Sequence, residues 1–564
     1  MPGIQNPRKQ FYLLGEGISS AKELDLDSSL DIDGLKHLIA AHFAIVEPTG
    51  IGFQTADSTL TDVSDVLSCG DPIAITIDGH AIREPPGPKG LPVVGNFLQV
   101  YPDHLGNHQR LFEQYGPIIK TNNMGRVTYQ TNDPVISAIA LSESDFFTKG
   151  INEAHPLFGL KTPQAGIFLG DTDTPEWRVA HKFIPPALGP KAVRHYAPTM
   201  QKTVEDAFKV FDALDEQGEA WNVYQYMLKL GSQAVGKLTL GLDFNHFTHP
   251  DAPLHEMVHL IAELLSLNKK VTSKGDWYAS LPFGEPKQLR TTKRRIEEMV
   301  DESIKMAASG GVEDLPLQEA ALLAANMVDY AVRATDNKGE KLPKESLVWA
   351  LTVATAAGFT TTSSLLSWLI YGLTTYPGMQ ERLLQELIDN DIDENTEITA
   401  DLTDRLSFLD KYIKETQRRH NPSYQPGRTA KVDLVLPGGY KLEKDSILIP
   451  ALHHIHNNPQ YWDNPDRFDP DRWDTPQVKN RHKAAYIPFA MGQRMCIGFN
   501  FALQEIKVFL PKLVYRYKFI REGDGIIEYD PMFQLIRPNN LYVRAERRVK
   551  WPPKSNAPVE KTVS

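Results

Sequence analysis

The chain has 564 residues, of which 41% are hydrophobic and 23% charged, a balance that supports a sizeable core and excludes wholesale disorder. Lys and Arg number 60 against 71 Asp and Glu, for a net charge of −11, which argues against nucleic acid as a primary partner. The two cysteines, Cys69 and Cys496, exclude a disulfide framework and a multi-cysteine zinc site, and such sparse usage fits a reducing compartment.

Met1 to Gln10 lack the apolar centre of a signal peptide. Residues 1–80 carry a short apolar run at 11–14, then acids at Glu23, Asp25, Asp27, Asp31 and Asp33. Leu35, Leu38, Ile39 and Phe43 follow at helical spacing. Strands are expected at 51–53 and at Ile73, Ile75 and Ile77, the latter closed by the Asp78-Gly79 turn signal. The pattern fits a small α+β module of the ubiquitin-like β-grasp kind, or an irregular extension packed on the main domain. Residues 81–90, with Pro85, Pro86 and Pro88, read as a stiff linker.

From 91 to 547 the chain reads as mostly amphipathic helices with small β-sheets, and 548–564 as a disordered tail. Residues 347–373 run without a charge, long enough to span a bilayer. Five successive hydroxyls, Thr360 to Ser364, and amphipathic flanks favour instead the central buried helix of a large domain, with no transmembrane segment. Residues 432–436 and 447–449, around Gly438-Gly439, predict a hairpin.

The strongest chemical signal is Phe489-Ala490-Met491-Gly492-Gln493-Arg494-Met495-Cys496-Ile497-Gly498. Two glycines permit unusual backbone angles around one cysteine, in a loop expected to open a helix over 499–510 that stops at Pro511. The helix dipole there would favour the thiolate. A lone thiolate is wrong for zinc and suits an iron whose other ligands come from a macrocycle.

This segment resembles the haem-binding loop of the cytochrome P-450 family, Phe-x-x-Gly-x-Arg-x-Cys-x-Gly, and other motifs follow in the family's order. The resemblance covers nearly all of 90–547 and implies that fold, haem b, and Cys496 as the iron ligand within a frame set by Phe489 and Gly498. Glu415 and Arg418 match the family's Glu-x-x-Arg pair, and Pro465-Asp466-Arg467-Phe468 its Pro-x-Arg-Phe segment. Together these imply a buried structural network of Glu415, Arg418 and Arg467. Trp177 and His181, four apart, match an aromatic and a basic residue that bond haem propionates, with Arg428 and Arg494 as further partners.

Ala357-Gly358-Phe359-Thr360-Thr361-Thr362 resembles the oxygen-activation motif. Gly358 would leave room for dioxygen and Thr361 would position it. Thr360 stands where the family has an acid, which puts the usual proton relay in doubt. The closest resemblance is to the haem domains of soluble self-sufficient fatty-acid hydroxylases. It implies Phe168 over the haem and Arg126 as a carboxylate anchor, although Gln130 replaces the tyrosine that would assist that arginine. An exposed strand arginine is the competing reading of Arg126.

The resemblance implies a monooxygenase inserting one oxygen atom into a hydrophobic small molecule, a fatty acid or secondary metabolite. A haem-thiolate isomerase or dehydratase and a non-enzymatic haem sensor are the alternatives. With 68 residues after Cys496, NADPH electrons are expected through a separate flavin reductase. That reductase would dock on a basic face of Arg178, Lys182, Lys414, Arg419, Lys479, Arg481 and Lys483. The expected location is cytoplasmic, or peripheral on membranes.

Overall fold

The computed structural model describes residues 7–555, apart from 28, 156, 162–165, 424–425, 532 and 534. The N-terminal stretch is built from β1 (Arg8–Leu13), β2 (Lys22–Asp25), α1 (Ile32–Phe43), β3 (Ile51–Gln54), β4 (Thr59–Leu60) and β5 (Ile73–Ile77). The sheet order is β2-β1-β5-β3-β4, with β1 and β5 parallel and the other pairs antiparallel, a β-grasp arrangement. Asp31 starts α1 by accepting the Gly34 N–H at 2.7 Å. Leu35, Ile39 and Phe43 then pack on Phe11, Phe53 and Ile75 of the sheet. Acidic composition hid β2, because its outward residues are charged and Leu24 alone faces in.

The strands expected to form one hairpin belong to two structures. The main sheet contains β6 (Ile118–Asn123), β7 (Arg126–Thr131), β8 (Phe147–Thr148) and, after seven helices introduced next, β9 (Arg428–Ala430) and β12 (Ile447–Pro450). Its order is β6-β7-β12-β9-β8. The true hairpin pairs β10 (Leu434–Leu436) with β11 (Tyr440–Leu442). Gly438 and Gly439, both at φ +76°, make that turn, so the chain folds back at once and leaves 447–450 free to pair elsewhere.

The helices that frame the interior are α2 (Pro175–Phe183), α3 (Pro190–Gln217), α4 (Val223–Val235), α5 (Glu256–Thr272), α6 (Gly284–Ala308), α7 (Lys344–Thr375), α8 (Ser407–Arg419) and α9 (Phe499–Arg516). A last sheet joins β13 (Tyr517–Glu522), β14 (Tyr542–Arg547) and Trp221–Asn222. Helix α7 runs through the largest core, where Leu351, Phe359, Leu366 and Leu369 are fully enclosed. By length and composition it could cross a membrane, but 67% of its most apolar stretch is buried inside the protein. Its hydroxyls bond back to carbonyls four residues earlier, as with Thr362 to Gly358 at 2.9 Å and Ser364 to Thr360 at 2.8 Å.

Three boundaries differ from the sequence expectation. Helix α9 passes through Pro511 to Arg516, because Phe509, Leu510, Leu513 and Val514 are all buried and packing outweighs the lost N–H. The 81–90 stretch is fastened rather than free: Arg83 exchanges backbone bonds with Gly439 and Lys441, and Lys120 donates to Pro86. Residues 548–555 are also tied down, with Trp551 Nε1 donating to Tyr515 O at 3.0 Å and Ser555 bonded to Asp389. The remainder of the expected tail lies outside the described residues.

Candidate active site

Cys496 closes a loop whose backbone admits few alternatives. Its N–H donates to Phe489 O at 2.9 Å, and Gly498 caps α9 immediately behind it. Gly492 has φ +77°, and a Cβ there would stand 2.3 Å from the Leu141 carbonyl, so only glycine fits. Cys496 is solvent-accessible, yet burial is the largest influence on its thiol and pushes its pKa up. The Gly498 N–H and the Lys149 ammonium pull the pKa the other way but do not prevail. The helix start acts through the Gly498 N–H in the direction expected, toward the thiolate, and burial opposes it.

Trp177, His181 and Arg494 come together above this loop. The Trp177 and His181 rings stack at 4.5 Å, and the Arg494 guanidinium lies 4.9 Å from the indole. Arg494 donates to Thr172 Oγ1 at 2.7 Å and to Gly170 O at 2.9 Å, which ties the cysteine loop to the start of α2. Arg428 is buried and bonds Glu143 at 3.1 Å. Lys149, which sequence reading passed over, is also buried, with its ammonium 4.1 Å from the Phe168 ring. Burial, Arg494 and Arg428 hold its pKa well below the ordinary value.

Three buried cations thus gather around one carboxylate, Glu143. Two buried donors there, Trp177 Nε1 and Arg428 Nη2, find no acceptor among the described residues. Surplus positive charge and idle N–H groups suit a ligand carrying carboxylates. Beside a lone cysteine, haem with its two propionates fits this donor set.

On α7, Ala357 is exposed and Thr361 half-buried, both open to the interior. Ala357 lines an apolar cavity together with Phe168, Leu169, Leu264 and Trp349. Thr361 Oγ1 donates to Ala357 O at 2.8 Å. Thr360, by contrast, is 2% exposed, and its hydroxyl is committed to Ala356 O at 2.6 Å. Gly358 acts partly in helix packing, since a Cβ there would come within 3.2 Å of Val235 on α4. Below α7 sits Glu505, fully buried, with neither oxygen bonded under strict geometry and Thr362 as the neighbouring hydroxyl. Burial raises its pKa well above the usual carboxylate value, with Thr362 pulling the other way. Its position on the buried face with Phe501 and Val508 was the signal that could have marked it.

Arg467 is corrected. Its side chain is 67% exposed and pairs loosely with Asp469 at 3.3 Å. The network partner is Arg472, whose Nε donates to Glu415 Oε1 at 3.0 Å. Arg418 grips the same carboxylate with two bonds of 2.9 Å and donates also to the carbonyls of His456 and Pro465. Trp473 Nε1 adds a fourth side-chain bond at 3.1 Å.

Arg126 is buried at the start of β7 and lines no part of the cavity, and Gln130 bonds His108 at 2.9 Å. Three of the seven residues expected on the basic face are ion-paired. Lys182 pairs with Asp336, Lys414 with Asp410 and Arg419 with Asp466, while Arg481 lies among Trp462, Trp473 and Tyr486. Arg178, Lys479 and Lys483 make no ion pair among the described residues.

The cytochrome P450 family model matches residues 85–543. The chain is 48% identical to the cytochrome P450 monooxygenase alnD of Emericella nidulans, over 97% of this chain and 99% of that protein. It is 28% identical to the bifunctional cytochrome P450/NADPH–P450 reductase ascE of Acremonium egyptiacum, over 82% of this chain and 43% of that protein. Human cytochrome P450 4F8 is 26% identical over 78% of this chain and 83% of its own length. A tightly held loop with one cysteine, a cation-lined cradle and these relatives agree, and the chain belongs to the cytochrome P450 family, as a cytochrome P450 monooxygenase.

Proposed function

We propose that the chain inserts one oxygen atom from O2 into an apolar C–H or C=C bond of a hydrophobic small molecule, a fatty acid or secondary metabolite. The electrons would come from NADPH through a separate flavin reductase. The observation that carries this reading is the meeting of Cys496, the buried cation cluster and an apolar cavity walled by α7. When bound, haem supplies thiolate-assisted O–O cleavage. Cys496 would hold its iron, while Trp177, His181, Arg428, Arg494 and Lys149 would receive its carboxylates. Phe168, Leu169 and Trp349 keep water from the reacting bond. Thr360 and Thr361 each donate their hydroxyl to the carbonyl four residues back, and they differ in access: Thr361 is half-buried and can turn its hydroxyl to a bound ligand, whereas Thr360 is 2% exposed. The reading includes a cytoplasmic location, or a peripheral one on membranes, checked by fractionation.

With a generic NADPH-dependent reductase and 18O2, each product molecule should carry one labelled oxygen. Product labelled from water instead would overturn the reading. The two threonines should separate cleanly. Thr361→Val should raise the share of electrons lost to hydrogen peroxide several-fold, and Thr360→Val should leave that share within about twofold. Peroxide yield per NADPH measures both.

A further inference from the structure

The cavity above α7 is apolar on nearly every side, yet one cation reaches it. Lys293, on α6 beside Ile296, lines the same space as Phe168, Trp349 and Ala357. Its ammonium lies 4.7 Å from the Trp349 ring centroid and donates to Leu160 O at 3.2 Å. No carboxylate lies within ion-pair distance of it among the described residues. A lysine in this position has lost most of its water and gained two neutral carbonyls, of Leu160 and, at 3.5 Å, Lys161, and an aromatic face in return.

We propose that Lys293 is the specificity-determining residue of the cavity and that the substrate is an amphiphilic acid. Its carboxylate would meet the Lys293 ammonium, and its apolar body would reach toward Ala357. This rests on the monooxygenase reading and names the substrate class for that site. A neutral substrate would leave the ammonium unpaired against apolar walls, and an anion removes that cost. Arg126, the anchor suggested by resemblance, starts strand β7 and does not line this cavity, and Lys293 takes over that part from helix α6.

Burial lowers the Lys293 pKa to about 8, with Glu297 on the same helix pulling the other way. The groups facing it are few. Lys161 across the cavity edge is paired with Asp171 at 2.7 Å. Glu263 on α5 is held by Thr292 at 3.1 Å. The α7 wall from Trp349 to Ala357 carries no charge. Anion binding requires the ammonium, so affinity should be full at pH 7 and fall as pH rises through about 8, far below the range of an ordinary lysine.

The test uses the haem-loaded full chain, with dodecanoate and methyl dodecanoate as probes and binding read by equilibrium dialysis. Dodecanoate should bind at least about tenfold more tightly than the ester at pH 7, and this preference should shrink between pH 7 and 9. Lys293→Met should abolish the preference by weakening the acid alone, and Lys293→Arg should keep most of it. Equal binding of acid and ester by the wild type, failure of the acid to bind, or a preference that survives in Lys293→Met would overturn the proposal. The carbon monoxide spectrum of each sample separates the two readings: a thiolate signature without acid preference sinks the Lys293 role alone, and loss of that signature in the wild type sinks the monooxygenase reading.

Discussion

Cys496→Ser should lose both turnover and the carbon monoxide spectrum of a thiolate-ligated haem, while the protein stays folded. The loop that carries residue 496 is fixed by its backbone, through the Cys496 N–H to Phe489 O bond and the close approach of Gly492 to Leu141. Serine preserves those contacts, so the change falls on the ligand. No replacement thiol is at hand, since Cys69 lies beside the core of the N-terminal module. A serine hydroxyl is far less acidic than a thiol and cannot donate electron density as thiolate does. Circular dichroism should be unchanged, and a retained thiolate spectrum would remove Cys496 from the iron.

Arg472→Ala should destabilise the fold by about 3–5 kcal/mol, and Arg467→Ala by no more than about 0.5 kcal/mol. The two arginines sit five residues apart in near-identical surroundings of sequence, yet Arg472 is 8% exposed against Glu415 and Arg467 is 67% exposed. Glu415 is wholly enclosed and accepts from Arg418, Arg472, Trp473 and the Asp469 N–H. Removing one guanidinium leaves part of a buried carboxylate unanswered, the costly way to break such a network. Typical domains are stable by only about 5–15 kcal/mol, so Arg472→Ala should also shed haem on mild heating. Denaturant midpoints of the two variants decide the matter.

That pair also shows why sequence reading succeeded in some places and failed in others. The cysteine loop was legible because its chemistry is local, with the one short stretch from Phe489 to Gly498 setting the backbone and supplying the ligand. The same held for Trp177 and His181, whose helical spacing alone brings their rings together. Arg467 was mistaken for Arg472 because the chain repeats Pro-Asp-Arg-aromatic twice, at 465–468 and 470–473. Only the turn between the copies, set by Asp469 and Pro470, decides which guanidinium turns inward. Lys149, Lys293 and Glu505 carried no motif at all. Their significance lies in burial, which depends on helices and strands distant in sequence. For the basic face, local sequence names the cations but not the acids that meet some of them from other segments, such as Asp336 for Lys182. The β-strands at 51–54, 73–77 and 434–436 were legible from their apolar residues, whereas β2 and β11 depended on partners that no local pattern names.

The seam between the N-terminal module and the hairpin changes what the proline-rich stretch can be. Val435 belongs to the module's own core, and its N–H and carbonyl are taken up by Ala44 and Val46. The Gly438 N–H donates to Asp78, and Lys441 pairs with Glu16. A tether with free joints would let two bodies swing independently, but here the far body is stitched along its flank by backbone bonds. The first 80 residues therefore act as a keystone for the β10–β11 edge: cut them away and that edge keeps its unsatisfied N–H and C=O groups and a bare valine, a template on which chains stack into aggregates.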